Sequence, residues 1–329
     1  MGRVSRPAAA GAAVAALALT ASGCVTVHGE REIVPAATES EAARALKEFT
    51  AAYNKADKAN DPKASEDRVT GPLGAINQAG LKAKRKNAPD GNPKHSALEL
   101  TDAEFHIPKK AGWPRYFVAD TDSNKDVDDG GAKDTHWFLV FIKHSADEPW
   151  QVAYLNILSP GEVPEFRKDK DGYATPADVE ANNLALAPAE LPAAYAGYLK
   201  DGGTAFADGQ HTSGWRADRA RRESSPGWSR QWVDRPEQSG DFAPLGLRTE
   251  DGGAFVFFAG RHFEKQTASE GLKINVPKDV QALLTGEVKQ SITLERVSSL
   301  AARIPPKGAA EPGAVVASRI MGITGAEGS

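Results

Sequence analysis

His136-Trp137-Phe138-Leu139-Val140-Phe141-Ile142, followed after Glu148-Pro149 by Trp150-Gln151-Val152-Ala153-Tyr154-Leu155-Asn156-Ile157-Leu158, is the stretch on which the fold turns. Both runs are rich in β-branched and aromatic residues and are bounded by turn-forming ones, so each predicts a strand. Trp113-Pro114-Arg115-Tyr116-Phe117-Val118-Ala119 supplies a third, and Leu98-Glu99-Leu100-Thr101 with Ala103-Glu104-Phe105-His106-Ile107 leads into it. The connections are too short or too polar to hold a crossover helix, which predicts successive antiparallel strands.

Upstream of this sheet the period is helical. Thr38 and Glu41 have capping-box spacing, and Ala42, Leu46, Phe49 and Tyr53 behind them recur at three- and four-residue steps, predicting an amphipathic helix over 41–60. A second helix is predicted over 72–86, where Lys82, Lys84, Arg85 and Lys86 read as a solvated helix end. Downstream, residues 159–192 hold five prolines and an Asp171-Gly172 turn signal, which marks a boundary.

Beyond the boundary the pattern begins again. Leu191, Tyr195, Tyr198 and Leu199 make a helical stripe that Phe206 continues, a short helix is predicted over 215–222, and strands over 242–249, 254–262, 271–276, 288–298 and 315–322. Helices followed by strands, twice, predict an α+β fold of two tandem units, each a helix with a curved antiparallel sheet: residues 38–160 and 191–329, joined by a linker over 161–190.

The N-terminus reads as an export leader: basic Arg3 and Arg6, an uncharged run over 8–19, then small residues. The run is shorter than the roughly 20 residues that cross a bilayer as a helix. Ala21-Ser22-Gly23-Cys24 resembles the bacterial lipobox, with Ala21 where leucine is commonest. That resemblance implies a signal peptide over 1–23, a diacylglyceryl group with palmitate-type chains on Cys24, cleavage before it, a tether over 24–37, and attachment to the outer face of the cell membrane through two acyl chains.

Composition removes several classes of function. The net charge of −4 falls to about −6 once Arg3 and Arg6 are lost, and the charges are dispersed, which speaks against nucleic acid. Cys24 is the only cysteine, so no intrachain disulfide and no cysteine-rich zinc site can form. The seven histidines include no helical pair four residues apart with a glutamate between, and His136 and His144 flank a strand as surface or rim residues. Asp120-Thr121-Asp122-Ser123-Asn124-Lys125-Asp126 begins like a calcium loop but places Lys125 where the turn needs glycine and Gly131 where a bidentate glutamate belongs, so it reads as a solvated hairpin loop. No serine has glycines two residues on either side, and no serine is followed three residues later by lysine. Neither Gly202-Gly203 nor Gly252-Gly253 continues as a phosphate loop, so no metal or cofactor is expected.

Two resemblances go further. The order of helix, short helix and bent antiparallel sheet resembles the nuclear-transport-factor-like, or cystatin-like, cone, in which a helix covers one face of the sheet. Gly112-Trp113-Pro114-Arg115-Tyr116-Phe117, Glu148-Pro149-Trp150-Gln151-Val152-Ala153-Tyr154 and Asp171-Gly172-Tyr173-Ala174 resemble segments of an uncharacterised family of exported lipoproteins from high-GC Gram-positive bacteria. The second implies an exported lipoprotein and brings no activity or site residues; with no catalytic motif in the sequence, a membrane-anchored lipoprotein with a binding or accessory role is the expectation. The alternative is a small-ligand carrier or an isomerase- or dehydratase-like cone enzyme, for which Glu104, His106, Asp134 and His136 would be the cavity candidates. The one composition that suggests a partner surface is Trp215, Trp228 and Trp232 among Arg216, Arg219, Arg221, Arg222, Arg230 and Arg235, since both residue types are enriched in hot spots. An envelope protein or a small ligand is the expected partner, with Trp215, Arg221, Arg222, Trp228 and Trp232 as its contacts.

Overall fold

The computed structural model describes residues 2, 32–131, 133–310 and 313–329. The elements run β1 (Ile33–Pro35), α1 (Glu39–Ala59), α2 (Gly71–Asn87), β2 (Leu100–His106), β3 (Lys109–Ala111), β4 (Arg115–Ser123), β5 (His136–Lys143) and β6 (Gln151–Leu158) in the first half. The second half holds α3 (Leu191–Asp201), α4 (Ser213–Arg222), β7 (Ser224–Ser225), β8 (Trp228–Glu237), β9 (Leu245–Arg248), β10 (Ala254–Ala268), α5 (Lys278–Leu283), β11 (Leu284–Thr285), β12 (Ser291–Ile304) and β13 (Val315–Gly328). The fold is α+β. No described helix is long and apolar enough to cross a membrane.

The predicted capping box forms: Thr38 Oγ1 accepts from the Glu41 amide, and Glu41 Oε2 accepts from the Thr38 amide at 2.8 Å. Helix α1 then lays Ala42, Ala45, Leu46 and Phe49 against Phe117, Leu139, Phe141 and Val152 of an antiparallel sheet ordered β2-β4-β5-β6. Lys84 and Arg85, two of the four basic residues at the end of α2, pair with Asp57 and Asp61 at the end of α1.

The other face of this sheet is also buried. Tyr116, Val118, Phe138, Val140 and Tyr154 pack against Leu247, Phe255, Phe257, Ala259 and Ala301 of the second sheet. That is why residues 138–142 form an unbroken apolar run: a strand covered on both faces has no solvent-facing position to make polar. The second sheet, ordered β11-β13-β12-β10-β8-β7 with β9 alongside β10, turns its far face to α3, where Leu191, Tyr195, Tyr198 and Leu199 cover Val256, Phe258, Leu300 and Ala302. The layers are therefore helix, sheet, sheet, helix. Buried polar groups stitch the two sheets: Asn156 Nδ2 donates to Ser299 O at 3.1 Å, and the Tyr116 hydroxyl to Gly246 O at 2.8 Å.

Several expectations need correction. The C-terminal end of the predicted tether is part of the body, since Ile33–Pro35 pairs with Lys109–Ala111 and Ala36 and Ala37 are buried. Nor does the segment over 161–190 hang free as a linker. Phe166, Ala174, Ala177 and Leu184 are buried, and the amides of Arg167, Ala174 and Ala177 donate to Arg248, Ile107 and Gly246. Residues 271–276 are irregular and lead into α5, while 228–237, where no strand was predicted, is a strand. The matching places predicted for the two short helices are not equivalent. Helix α2 packs on β6, β12 and β13 at the junction of the sheets, whereas α4 contributes Trp215 to the core beneath α3.

Candidate functional site

Along β10, successive residues alternate faces, so the face that meets α3 through Ala254, Val256 and Phe258 carries His262 and Glu264 further on. On β12 the same parity takes Ile304, Ala302 and Leu300 to Ser298 and Arg296, and β8 adds Asp234, Trp232 and Arg230. One face of the second sheet thus changes from apolar under α3 to polar and cationic beside α4.

Within it Asp234, His262 and Ser298 form a chain. His262 Nδ1 lies 2.6 Å from Asp234 Oδ1, and His262 Nε2 lies 2.8 Å from Ser298 Oγ. Arg219 grips the same carboxylate with two bonds of 2.7 and 2.9 Å. Burial pushes the Asp234 carboxyl up, but the bonds from His262 and Arg219 outweigh it and leave it below its ordinary value. Burial lowers the His262 imidazole despite Asp234, so the ring is neutral near pH 7. An ionised Asp234 then fixes the proton on Nδ1, and Nε2 accepts from Ser298. This is the connectivity of a nucleophile, base and acid, yet Ser298 is 0% exposed and Trp215 packs edge-on to the His262 ring at 4.9 Å.

Trp215 is held by two arginines. The guanidinium carbons of Arg219 and Arg319 lie 3.8 and 3.5 Å from its ring centroid, within cation–π range. Outside this plug the face opens. A cleft of about 530 Å³ between α3, α4 and β8 is lined by Lys200, Arg216, Arg219, Arg230 and Trp232, and a smaller hollow sharing Arg219 and Trp232 adds Arg222 and Arg296. The carboxylates on these linings are Glu223, Asp234 and Glu264, so the six cations outnumber them two to one. Glu264 is shared, with Arg296 Nη1 at 2.8 Å and Arg230 Nε at 3.3 Å, the latter without hydrogen-bond alignment.

Of the sequence-predicted surface, Trp215 is buried in the core and reaches only the wall of the smaller hollow. Arg221 and Arg222 are exposed, and Trp228 and Trp232 are half-buried on β8. Arg221 pairs with Asp218 and is on neither lining, while Arg222 sits over Trp232 at 5.8 Å and lines the hollow, so of the expected set the structure brings Trp232 to the cleft and Arg222 to the hollow beside it. Asp234, His262, Ser298 and Arg319 were missed, because four separate strands supply them and no local spacing joins them. The available signal was a histidine and a serine pair inside apolar strands. Cys24 and the lipobox residues Ala21, Ser22 and Gly23 lie outside the described residues.

In the first half, Glu104 and His106 line one cleft of about 540 Å³ with Lys168. His136 instead pairs with Asp120 at 2.8 Å, and Asp134 accepts from the Gly130 amide, so the four cavity candidates do not converge. His144, read as a rim residue, reaches Asp241 of the second half at 2.7 Å. The calcium-like positions are spent on protein contacts: Asn124 accepts from the Glu99 amide and Asp126 from Thr135. Asp122, Asp128 and Asp134 do bring carboxylate oxygens within 4.8 Å of one another, and Asp122 chiefly holds the Asp128 carboxyl above its ordinary value.

A family model described as Domain of unknown function (DUF8094) matches residues 33–328. The chain is 53% identical over 327 residues to an uncharacterized lipoprotein of Streptomyces coelicolor, covering 99% of this chain and 96% of that protein. An uncharacterized lipoprotein of Streptomyces avermitilis is also 53% identical over 327 residues, with 99% and 96% covered. A further uncharacterized lipoprotein of Streptomyces coelicolor is 27% identical over 359 residues, with 98% and 93% covered. No solved structure matches the chain.

Proposed function

We propose, for a chain that belongs to the family described as Domain of unknown function (DUF8094), a lipoprotein of the outer membrane face, acylated at Cys24, that binds rather than catalyses. Its body is two cones built on residues 38–160 and 191–329 and set back to back, each sheet carrying a helix on one face and sharing a core on the other, with residues 33–37 and the segment 161–190 packed onto them. The observation that carries the binding role is the contrast on the helix-covered face of the second sheet. Among the described residues the chain of groups there with the order of a nucleophile and base is sealed at Ser298 beneath Trp215, while the cationic, aromatic cleft beside it faces solvent.

A catalytic reading has the Asp234–His262–Ser298 connectivity in its favour, and it makes a different prediction. In the native host, wild-type protein is expected in the detergent phase on partition and Cys24→Ala in the aqueous phase, with neither labelled by a fluorophosphonate. Membrane retention of Cys24→Ala contradicts the anchor. Labelling that disappears in Ser298→Ala contradicts the binding role and establishes the enzyme.

A further inference from the structure

The cleft between α3, α4 and β8 has more cationic donors than the protein itself satisfies. Among the described residues Arg216 on the cleft, Arg222 on the adjoining hollow and Arg319 behind them on Trp215 have no carboxylate within 4.0 Å. Three buried guanidinium nitrogens of the same region, Arg219 Nε, Arg230 Nε and Arg319 Nη1, have no hydrogen-bond acceptor. Buried donors are almost always paired in folded proteins, and those left over ask for an acceptor that the chain does not supply. The arginines also lie close enough to act on one another: burial chiefly lowers the Arg296 and Arg319 guanidiniums, Glu264 and Tyr195 respectively oppose it, and Arg222 and Arg219 add to the lowering at Arg296 and Arg219 to that at Arg319. A fold that gathers like charges around a cleft without enough carboxylates lowers its own stability unless an anion joins them.

The shape narrows the class. About 530 Å³ lies within the range of roughly 300–1,000 Å³ typical of small-molecule sites. Guanidinium groups from two faces suit an oxyanion with several acceptor oxygens, which each planar fork can meet with two parallel bonds. Trp232 lines both the cleft and the adjoining hollow, with the Arg219 and Arg222 guanidiniums 6.0 and 5.8 Å from its centroid, so it stands where a flat or apolar part of a ligand would rest. Glu223 at the rim is the carboxylate of the lining for which no ion pair forms among the described residues. Asp234 is already neutralised by Arg219.

We propose that the cleft and the hollow adjoining it across Trp232 bind a phosphate-bearing anion, with Arg216 on the cleft side and Arg222 on the hollow side meeting its oxyanion groups and Trp232 packing against its remainder. The proposal rests on the binding reading of this face and names its ligand class. The phosphate could belong to a soluble phosphoester or to a lipid headgroup, and the chemistry of recognition is the same for both.

The test uses the chain from residue 25 onward, which holds every described strand and helix, with inorganic pyrophosphate as the soluble probe and phosphatidylglycerol vesicles as the lipid probe. Tryptophan fluorescence is read at ionic strength matched with chloride. A saturable change with pyrophosphate, weakened at least about tenfold in Arg216→Ala/Arg222→Ala, supports the soluble source. A response to vesicles alone with the same arginine dependence supports the headgroup. Both arginines lie away from the core, and Trp232→Phe, which keeps an aromatic ring, guards against loss of fold. It should retain phosphate binding while losing most of the fluorescence response, a pattern then read by calorimetry. No response to either probe, or an equal response in the double variant, overturns the phosphate assignment and leaves the anchored binding role standing. That role falls instead to Ser298-dependent labelling.

Discussion

His106 closes β2 with its Nδ1 buried and without a hydrogen-bond partner, against the Phe166 ring at 4.5 Å. Burial lowers its pKa from 6.5 to about 4, opposed by Glu104 at 3.7 Å and aided by Lys168. The unfolded chain therefore binds this proton and the folded chain does not between about pH 6.5 and 4. Stability is full above the unfolded value and is lost as pH falls through that window, by on the order of 2–3 kcal/mol for a shift of this size. His106→Leu should flatten the decline in denaturant midpoint between pH 6.5 and 4, and an unchanged slope would show that other groups govern it. His106 was legible as a candidate cavity residue but not as a buried one, because strand register decides which side chains face in, and register depends on a bulge. Asp102 takes a positive φ of 49°, and the pairing of β2 with β4 slips between Thr101 and Glu104.

At the scale of elements, α1, α2, α3 and strands β4, β5, β6 and β10, with their apolar periodicity or continuous apolar runs, were readable from the pattern of residues. Strand β8 was not, since its half-buried positions are Trp228, Arg230, Trp232, Asp234 and Glu237, and its exposed ones include Val233. A strand whose inner face is a cationic site shows no apolar alternation, so the failure of the pattern coincides with the candidate site. The start of α2 shows a second limit. Gly71 has φ of 52°, and a Cβ there would collide with the carbonyl oxygen of Asp241, whose side chain also meets Thr70 and His144. Nothing in the sequence near Gly71 announces a partner 170 residues away. Gly71→Ala should destabilise the protein by about 1–3 kcal/mol in chemical denaturation. Gly80→Ala, in the same helix with open space around it, should stabilise by roughly 0.5–1 kcal/mol. Equal effects of the two would mean that the docking of α2 on the second half is not tight.

For the whole molecule, two helix-then-strand halves could be read from the order of elements, but their union could not. The shared layer draws Phe138 and Tyr154 from one sheet and Phe255 and Phe257 from the other, and only the lack of any polar position over 138–142 hinted that both faces were covered. With the sheets back to back, each keeps its helix-covered face for its own use, and the second uses it for the cationic cleft. The lipoprotein character rests on the lipobox and on relatives that match along nearly the whole chain. The most direct test of an anchored binding protein is native mass spectrometry of the chain taken from its own membrane in mild detergent. The account predicts a chain starting at Cys24 with diacyl mass, carrying a small ligand that is lost in Arg216→Ala/Arg222→Ala. A chain without acyl mass, or an acylated chain equally bare in both forms, would contradict it.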